Sequence, residues 1–197
     1  TSLRKLVCDF GFCPSDVPGA MGASAELPRY GLQPMTIASG VCGLALKKDL
    51  EQDDGTVRHQ YTTGFPAPGM LACSFDPDLI FSVGKAIGRE MQEYGVAFCL
   101  APGCALQRTP FDAVSQESWS EDPVLTGLCA LFFCKGVQTH GAAILRTGTL
   151  PRSLDIRLSS LRDIYALPFE IAASACKAAL LPDSIVNGEA LGEDCDL

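Results

Sequence analysis

The clearest pattern of hydrophobic positions in the chain predicts an amphipathic helix over residues 76–94. Apolar residues recur there at steps of three and four, which places them on one face of a helix. They are Leu79, Ile80, Val83, Ile87 and Met91. Asp76 suits the N-cap, Pro77 the first helical position and Gly95 the position just after the helix end. We therefore expect a helix with one buried face.

Shorter apolar runs before and after this segment alternate with two further helical patterns. We expect strands over residues 34–37, 96–100, 142–145 and 179–181. One further helix is expected over residues 123–136, with Ser120 as a capping candidate and two acids just before its start. The other is expected over residues 159–178, where Pro168 should kink or divide it. Strands that alternate with helices over short connections predict a parallel α/β arrangement.

The number of strand–helix units suggests an unfinished barrel. About four units can be counted, which is half or slightly more of an eightfold barrel. The predicted fold class is therefore α/β, an incomplete TIM-type (β/α) barrel. We expect a single domain over residues 1–197, with an irregular lead-in at residues 1–30. Residues 47–63 are predicted to form an exposed polar excursion with a turn at Asp54–Gly55.

Composition excludes several classes of function. Hydrophobic residues make up 47% and charged residues 19% of the chain, which is typical of a globular fold. The net charge of −8 argues against a nucleic-acid partner, because phosphate binding needs a basic surface. No apolar run approaches the roughly 20 residues of a membrane helix, so no membrane association is expected. The first twelve residues lack the long apolar stretch of a signal peptide.

Ten cysteines are many for a chain of this length. Most lie inside apolar runs, where cysteine packs as a small hydrophobic residue. No CxxC pair occurs and the only histidines are His59 and His140, so a zinc site is not expected. The Gly-rich segments at residues 19–22 and 40–43 fit neither a P-loop nor GxGxxG. We predict free buried thiols in a reducing cytoplasm, with disulfides as the alternative, and no cofactor.

Several motifs occur in an order and spacing that resemble a known family. LAPG occupies Leu100–Gly103, R-x-P occupies Arg108–Pro110 and SEDP occupies Ser120–Pro123. Further similar stretches cover residues 17–22, 27–44, 65–96, 161–172 and 186–189. Together they resemble the barrel domain of glycoside hydrolase family 3, the β-glucosidase family, over nearly the whole chain. The resemblance implies a TIM-type barrel of a family that hydrolyses β-linked sugars.

The resemblance does not extend to the catalytic groups. Retaining glycosidases need two carboxyl groups, a nucleophile and an acid/base. In the family the nucleophile is the Asp of an S/T-D-W strand end, shortly after the position of residues 186–189, and the acid/base normally comes from another domain. This sequence contains no S/T-D-W motif, and Asp194 and Asp196 do not follow an apolar strand. We therefore expect a truncated member with no catalytic residue of its own.

Most positions that match the family's sugar-holding residues are replaced. Ser39 stands where the pattern S/T-D-G-P-A-G has Asp, and residues 113–118 keep only Glu117 of the pattern G-R-N-F-E-Y. Residues 146–148 lack the His of K-H-F, and residues 148–155 shorten the N-N-Q-E loop. Such losses matter because each unpaired buried polar group costs about 1–3 kcal/mol. The residues we expect in a vestigial substrate pocket are Ser39, Arg108, Glu117, Arg146 and Asp183.

Some loop residues have competing interpretations. Arg108 either contacts a ligand or braces the loop through a salt bridge. Glu121 and Asp122 either join a carboxylate site or favour the N-terminus of the following helix. Cys104 would act as a nucleophile only with a nearby His and a lowered pKa. Trp119 either stacks on a sugar ring or packs in the core.

These observations leave more than one function open. We expect a structural or binding module related to carbohydrate metabolism, a pseudoenzyme with a saccharide ligand. Its open strand edges need covering by residues 1–60, by a homodimer or by a completing partner chain. The alternative is a β-glucosidase-type hydrolase whose nucleophile and acid/base come from another chain or segment. A third interpretation is a non-sugar ligand held by Arg108, Glu117 and Arg146.

Overall fold

A computed structural model describes residues 16–51, 54–111, 115–146, 153–176, 178–180 and 185–190. The strands are β1 (Gly22–Ala23), β2 (Thr36–Ser39), β3 (Asp49–Glu51), β4 (Val57–His59), β5 (Phe98–Leu100), β6 (Ala142–Ala143), β7 (Leu145–Arg146), β8 (Ser153–Leu154), β9 (Ala179–Leu180), β10 (Ile185–Val186) and β11 (Glu189–Ala190). The α-helices are α1 (Pro68–Ala72), α2 (Pro77–Tyr94), α3 (Pro123–Val137), α4 (Leu158–Ser160) and α5 (Leu167–Ala173).

A four-stranded sheet in the order β1-β2-β5-β6 lies at the centre of the fold. β2, β5 and β6 run parallel, with Ser39 paired to Leu100 and Cys99 to Ala143. β7 continues directly after β6 and pairs in parallel with β9. Parallel strands bring their carboxyl ends to one edge, so Ser39 and Arg146 both stand at the ligand-binding edge of such a sheet. The predicted parallel α/β arrangement is confirmed.

The described part of the lead-in, residues 16–30, and the described residues of the polar excursion contain strands that the sequence does not predict. Within the predicted irregular lead-in, β1 pairs antiparallel with β2 and residues 28–30 form a short 3₁₀ turn. The excursion is the antiparallel hairpin β3–β4. Its turn falls at the predicted position, where Asp54 accepts a hydrogen bond from the backbone N–H of Thr56 and Gly55 has a φ of 76°. The strands form because backbone pairing satisfies their polar groups even where few side chains are buried.

Helix α2 begins and ends as predicted. The Asp76 carboxylate accepts hydrogen bonds from the backbone N–H groups of Asp78 and Leu79, and Gly95 ends the helix with a φ of 72°. The buried face runs through Ile80, Val83, Ile87 and Met91. The prediction that Leu79 joins this face is wrong, since its side chain is 42% exposed. Leu79 lies about 100° around the helix from Ile80, which turns it away from the core.

Helix α3 packs between α2 and α5. Glycines allow its backbone to approach α2 closely. A Cβ atom added to Gly84 would lie 2.5 Å from the Phe133 carbonyl oxygen, and one added to Gly136 would lie 2.8 Å from the Lys85 nitrogen. The same helix carries Phe133, Cys134 and Val137, which are almost fully buried. Buried side chains of these helices pack in one core with Ala38, Cys99 and Ala143 of the central sheet. The long loop after β5 ends at the start of α3.

The N-cap of α3 differs from the predicted one. Asp122, not Ser120, accepts a hydrogen bond from the backbone N–H of Leu125, at 2.7 Å. The Ser120 hydroxyl instead accepts a hydrogen bond from the backbone N–H of Asp122 and so stabilises the capping residue. Asp122 also confirms the expectation that the acids here favour a helix N-terminus.

We expect Asp122→Ala to lower the free energy of unfolding by about 1 kcal/mol, because it removes the cap of α3. Ser120→Ala should cost less, since its hydroxyl lies outside the helix. Urea denaturation followed by circular dichroism measures both changes. A larger loss of unfolding free energy in Ser120→Ala than in Asp122→Ala would show that Ser120 is the N-cap residue.

The last helical segment is shorter and less regular than predicted. α4 leads into a π-helical turn over Leu161–Ala166, and α5 then ends at Ala173. Pro168 is the second residue of α5 and follows the π-helical turn, so its missing N–H removes one hydrogen bond of the continuous helical segment and the regular α pattern is broken there. The chain after Ala173 reaches β9 through Cys176 instead of continuing as a helix.

The described cysteines agree with the prediction of free thiols. They are Cys42, Cys73, Cys99, Cys104, Cys129, Cys134 and Cys176. Five of these are buried, whereas Cys42 and Cys73 are exposed. Among the described helices, none is both long and apolar enough to cross a membrane.

Candidate functional site at the carboxyl ends of the strands

Two of the predicted site residues form an ion pair at the carboxyl end of the sheet. Nη1 of Arg146, the last residue of β7, lies 2.5 Å from Oε2 of Glu117. Glu117 ends a 3₁₀ turn over Ser115–Glu117 in the loop after β5. Both side chains are partly exposed, at 27% and 37% respectively. The pair therefore faces the solvent at the edge where ligands enter α/β folds.

The backbone around Arg146 holds this arrangement in place. The Arg146 N–H donates to the Pro102 carbonyl at 2.9 Å, and the Cys104 N–H donates to the Arg146 carbonyl at 2.8 Å. These two bonds join the beginning of the long loop to β7. The guanidinium of Arg146 therefore extends toward Glu117 from a strand end that backbone hydrogen bonds hold in place.

The turn after β2 brings a thiol near the same carboxylate. Cys42 is exposed overall, but partial burial of its thiol, and secondarily the negative charge of Glu117, raises the pKa of Cys42 above its ordinary value. Cys42 therefore stays a neutral thiol at neutral pH and is a poor nucleophile. Ser39, three residues earlier, is half-buried at the end of β2. The turn thus presents small polar groups, where the family pattern has a carboxylate.

Arg108 does not join the ion pair. Its Nη1 donates a hydrogen bond to the hydroxyl of Tyr165, and its guanidinium carbon lies 4.9 Å from the centre of the Tyr165 ring. Tyr165 belongs to the π-helical turn, so this contact fastens the long loop to the last helical segment. Arg108 braces the loop, as one of its two interpretations predicts, although through a tyrosine and not through a salt bridge.

The remaining candidates fall into two groups. Trp119 is 2% exposed and packs edge-on against Phe133 with ring centres 5.9 Å apart, which supports its core interpretation. Burial raises the pKa of Cys104 to about 12, so the thiol is neutral and unsuited to nucleophilic attack. Asp183 lies outside the described residues, as do the replaced family positions at residues 113, 114, 147 and 148.

A separate cleft of about 890 Å³ opens on another side of the long loop. Its walls come from residues 67–75, which include α1, from residues 107–110, 115–116 and 119–121 of the loop, and from Leu125 of α3. None of Ser39, Cys42, Glu117 and Arg146 lines it. The long loop therefore has one side at the ion pair and another at this cleft.

The ion pair at the strand ends offers both a donor and an acceptor of hydrogen bonds. A carboxylate accepts and a guanidinium donates hydrogen bonds, which are the two partners that a sugar hydroxyl needs. Among the described residues, no hydrogen bond or ion pair of Glu117 involves a second carboxylate. No group of three metal-ligating side chains is found in the described part of the chain either.

Comparison with known proteins identifies the family. Residues 32–149 match the glycosyl hydrolase family 3 N terminal domain. The chain belongs to glycosyl hydrolase family 3. It is 30% identical over 179 residues to thermostable beta-glucosidase B of Acetivibrio thermocellus, which is 84% of this chain and 23% of that protein. It is also 30% identical over 183 residues to beta-glucosidase A of Butyrivibrio fibrisolvens, which is 87% of this chain and 21% of that protein.

Solved structures of family 3 members give the same answer for the fold. The structure of beta-glucosidase 3B from Thermotoga neapolitana in complex with glucose superposes with a TM-score of 0.86 at 32% identity. The match covers 96% of this chain and 29% of that one. The resemblance and the fold class, a partial TIM-type barrel, are both confirmed. The chain spans less than a quarter of the length of the curated relatives described above.

The sequence did not reveal two features of the site. Tyr165 occurs in the family-like stretch LRDIYALPFEIA, yet nothing in the spacing pairs it with Arg108, 57 residues away. Nothing in the sequence places Cys42 near Glu117 either. In both cases the contact depends on how the loop folds over the strand ends.

Proposed function

We propose that this chain is a structural and saccharide-binding module of the β-glucosidase type that does not hydrolyse glycosides by itself. The observation that carries the proposal is the Arg146–Glu117 ion pair, with its 2.5 Å contact. Glu117 is the acid retained from the family's loop pattern, and one of its oxygens is already engaged by a guanidinium. Retaining hydrolysis needs two carboxyl groups about 5–5.5 Å apart, whereas the pair here joins one carboxylate to a cation.

The replaced positions support the same proposal. Ser39 is a neutral hydroxyl at a position where the family pattern has Asp. A hydroxyl and an ion pair can hydrogen-bond a pyranose, but none of them attacks an anomeric carbon as a carboxylate does. The ligand that this set of groups suits is a neutral sugar with vicinal hydroxyls.

We expect no turnover of chromogenic β-glucosides by the purified chain, because the observed partner of Glu117 is a guanidinium and not a second carboxyl group. Release of nitrophenol, followed by absorbance, measures this directly with the Glu117→Gln variant beside it. Turnover that disappears in Glu117→Gln would refute the proposal and place a carboxylate mechanism in this loop.

The binding part of the proposal is tested with glucose itself. Saturation-transfer NMR should detect glucose bound to the chain and a weaker signal with Arg146→Met, since that change removes the donor of the pair. Glu93→Gln, a change of an exposed acid on α2, is the matched control and should bind like the unchanged chain. Equal signals from Arg146→Met and the control would exclude the ion pair as the binding site.

A second function is favoured by the relatives. Those described above are named beta-glucosidases and are more than four times longer than the matched segment. A β-glucosidase-type hydrolase acting on β-linked sugars would arise if another chain or segment supplied the nucleophile and the acid/base. Addition of the remaining family domains as a separate polypeptide would then restore turnover, and Arg146→Met would lower it.

We also propose a covering partner and a reducing location. Val124 and Leu128 on α3, and Ile185 on β10, are exposed apolar side chains. A homodimer or a completing chain would cover them. Light scattering measures whether the purified chain is a monomer or a dimer. The free thiols of the described cysteines suit the cytoplasm.

A further inference from the structure

We propose that Cys134 and Cys176 form a peroxide-sensitive dithiol, which hydrogen peroxide converts to a disulfide inside the folded chain. Cys134 lies in the last turn of α3, and Cys176 follows α5 in the connection to β9. Neither thiol takes part in the ion pair between Arg146 and Glu117. The proposal therefore holds or fails independently of the proposed function.

Hydrogen bonds hold the two thiol-bearing segments against each other. The Gln138 N–H, at the end of α3, donates to the Cys134 carbonyl at 2.9 Å. The side-chain amide of Gln138 donates to the Ala175 carbonyl at 2.7 Å, and the Cys176 N–H donates to the Ala172 carbonyl at 3.0 Å. One glutamine thus joins the turn that carries Cys134 to the residue just before Cys176.

The two thiols meet within the core. The Cys134 thiol donates a hydrogen bond to the sulfur of Cys176, and the two residues are 0% and 1% exposed. A disulfide forms readily only between sulfurs that already face each other, because a distant pair requires the backbone to move. The pair is therefore placed to form a bond within one chain.

The surroundings of Cys176 favour its thiolate. The hydrogen bond from Cys134 lowers the pKa of Cys176 to about 6, against the opposite effect of burial and with help from the N–H groups of Ala178 and Leu145. As a thiol, Cys176 donates to the Ala143 carbonyl at 3.0 Å, which opposes ionisation. The three donors outweigh this contact, and the thiolate is the form that attacks a peroxide.

The reaction has two steps. The Cys176 thiolate attacks one oxygen of hydrogen peroxide, the O–O bond breaks, and the departing hydroxide takes up a proton to become water, which leaves a sulfenic acid on Cys176. Cys134 loses its proton and attacks the sulfenic sulfur, the S–O bond breaks, and a second water departs. The two thiols lose two electrons in all, and one peroxide is reduced to two waters.

Burial selects a small oxidant. Cys176 is buried, whereas Ala173 and Ser174 just before it are exposed, so the thiol lies directly beneath the surface. A local opening of this connection admits a molecule of the size of hydrogen peroxide more easily than a bulky thiol reagent. In a reducing compartment the dithiol is the resting form, and the disulfide forms transiently.

The neighbouring buried thiols are poorer partners for Cys176. Cys104 and Cys99 act on the pair through charge and not through a hydrogen bond. Burial raises the pKa of each of them to about 12, so both stay neutral thiols. We therefore expect the bond to form with Cys134.

The test treats the full folded chain with a small molar excess of hydrogen peroxide, after iodoacetamide has blocked its exposed thiols. Trypsin then separates residues 109–135, which include Cys134, from residues 163–177, which include Cys176. Mass spectrometry should find these two peptides joined in most chains, with a combined mass lower by that of two hydrogen atoms. Dithiothreitol should separate them again.

Two variants assign the bond. The first peptide also contains Cys129, so Cys129→Ser, a change of another buried thiol on α3, is the matched control and should keep the joined peptides. Cys134→Ser should lose them. Fragmentation of the joined peptides between Cys129 and Cys134 assigns the bond in the unchanged chain, which decides the matter even if Cys134→Ser fails to fold.

Three results would overturn the inference. The first is the absence of joined peptides from the oxidised unchanged chain. The second is a bond that fragmentation maps to Cys129. The third is a link from residues 163–177 to residues 90–108, which include Cys99 and Cys104.

Discussion

Phe133→Ala is expected to cost about 3–5 kcal/mol in free energy of unfolding, the largest loss from any single change considered for this chain. Phe133 is 1% exposed and lies in the second half of α3. Its ring meets Trp119 edge-on at 5.9 Å, so its removal leaves a cavity and also frees the loop. The melting temperature should fall by roughly 10 °C, because a loss of 1 kcal/mol lowers it by about 2–4 °C at this chain length.

Two comparison variants make the Phe133 result interpretable. Phe133→Leu keeps most of the volume and should cost clearly less. Leu128→Ala removes an apolar side chain on the same helix that is 41% exposed, and should shift the melting temperature little. An equal shift in Leu128→Ala and Phe133→Ala would contradict the placement of Phe133 in the core.

Gly136→Ala is expected to destabilise the chain by about 2 kcal/mol, even though alanine favours helices over glycine by about 1 kcal/mol. The added Cβ would press on the carbonyl of Phe81, lie 2.8 Å from the nitrogen of Lys85 and lie 3.0 Å from the carbonyl carbon of Gly84. All three are backbone atoms of α2, which cannot turn aside as a side chain can. The two helices must therefore move apart, and differential scanning calorimetry would record a lower melting temperature.

Gly64→Ala is the matched control for the glycine prediction. A Cβ at Gly64 would meet nothing within 4 Å, and its φ is not in the left-handed region. This variant should melt with the unchanged chain or slightly above it. If Gly136→Ala also melts with the unchanged chain, α2 and α3 do not pack as closely as described.

Much of the fold follows from local signals in the sequence. Asp76, Pro77 and Gly95 each satisfy a backbone requirement at a helix end, so α2 can be placed almost to the residue. The cap of α3 was misplaced by two residues because Ser120 and Asp122 are both good capping residues. Only the path of the loop decides which one reaches the Leu125 N–H. The π-turn before Pro168 has no signal of its own beyond the proline.

The site is less predictable, because its contacts join distant segments. Family spacing selected Glu117 and Arg146, and the structure pairs them. The same spacing placed Arg108 with them, whereas Arg108 contacts Tyr165 on another helical segment. Nothing in the sequence marks Phe75 as unusual, and only the structure shows its φ of 52° and its 75% exposed side chain.

Trapping of a covalent intermediate tests the central claim most directly. A 2-deoxy-2-fluoro-β-glucoside with a dinitrophenolate leaving group forms a long-lived ester on the nucleophile of a retaining glycosidase. Intact mass spectrometry should show this chain unmodified under conditions that label a full-length family 3 β-glucosidase completely. One fluoroglucosyl group per chain, mapped to Glu117 or to any other carboxylate of the chain, would contradict the account.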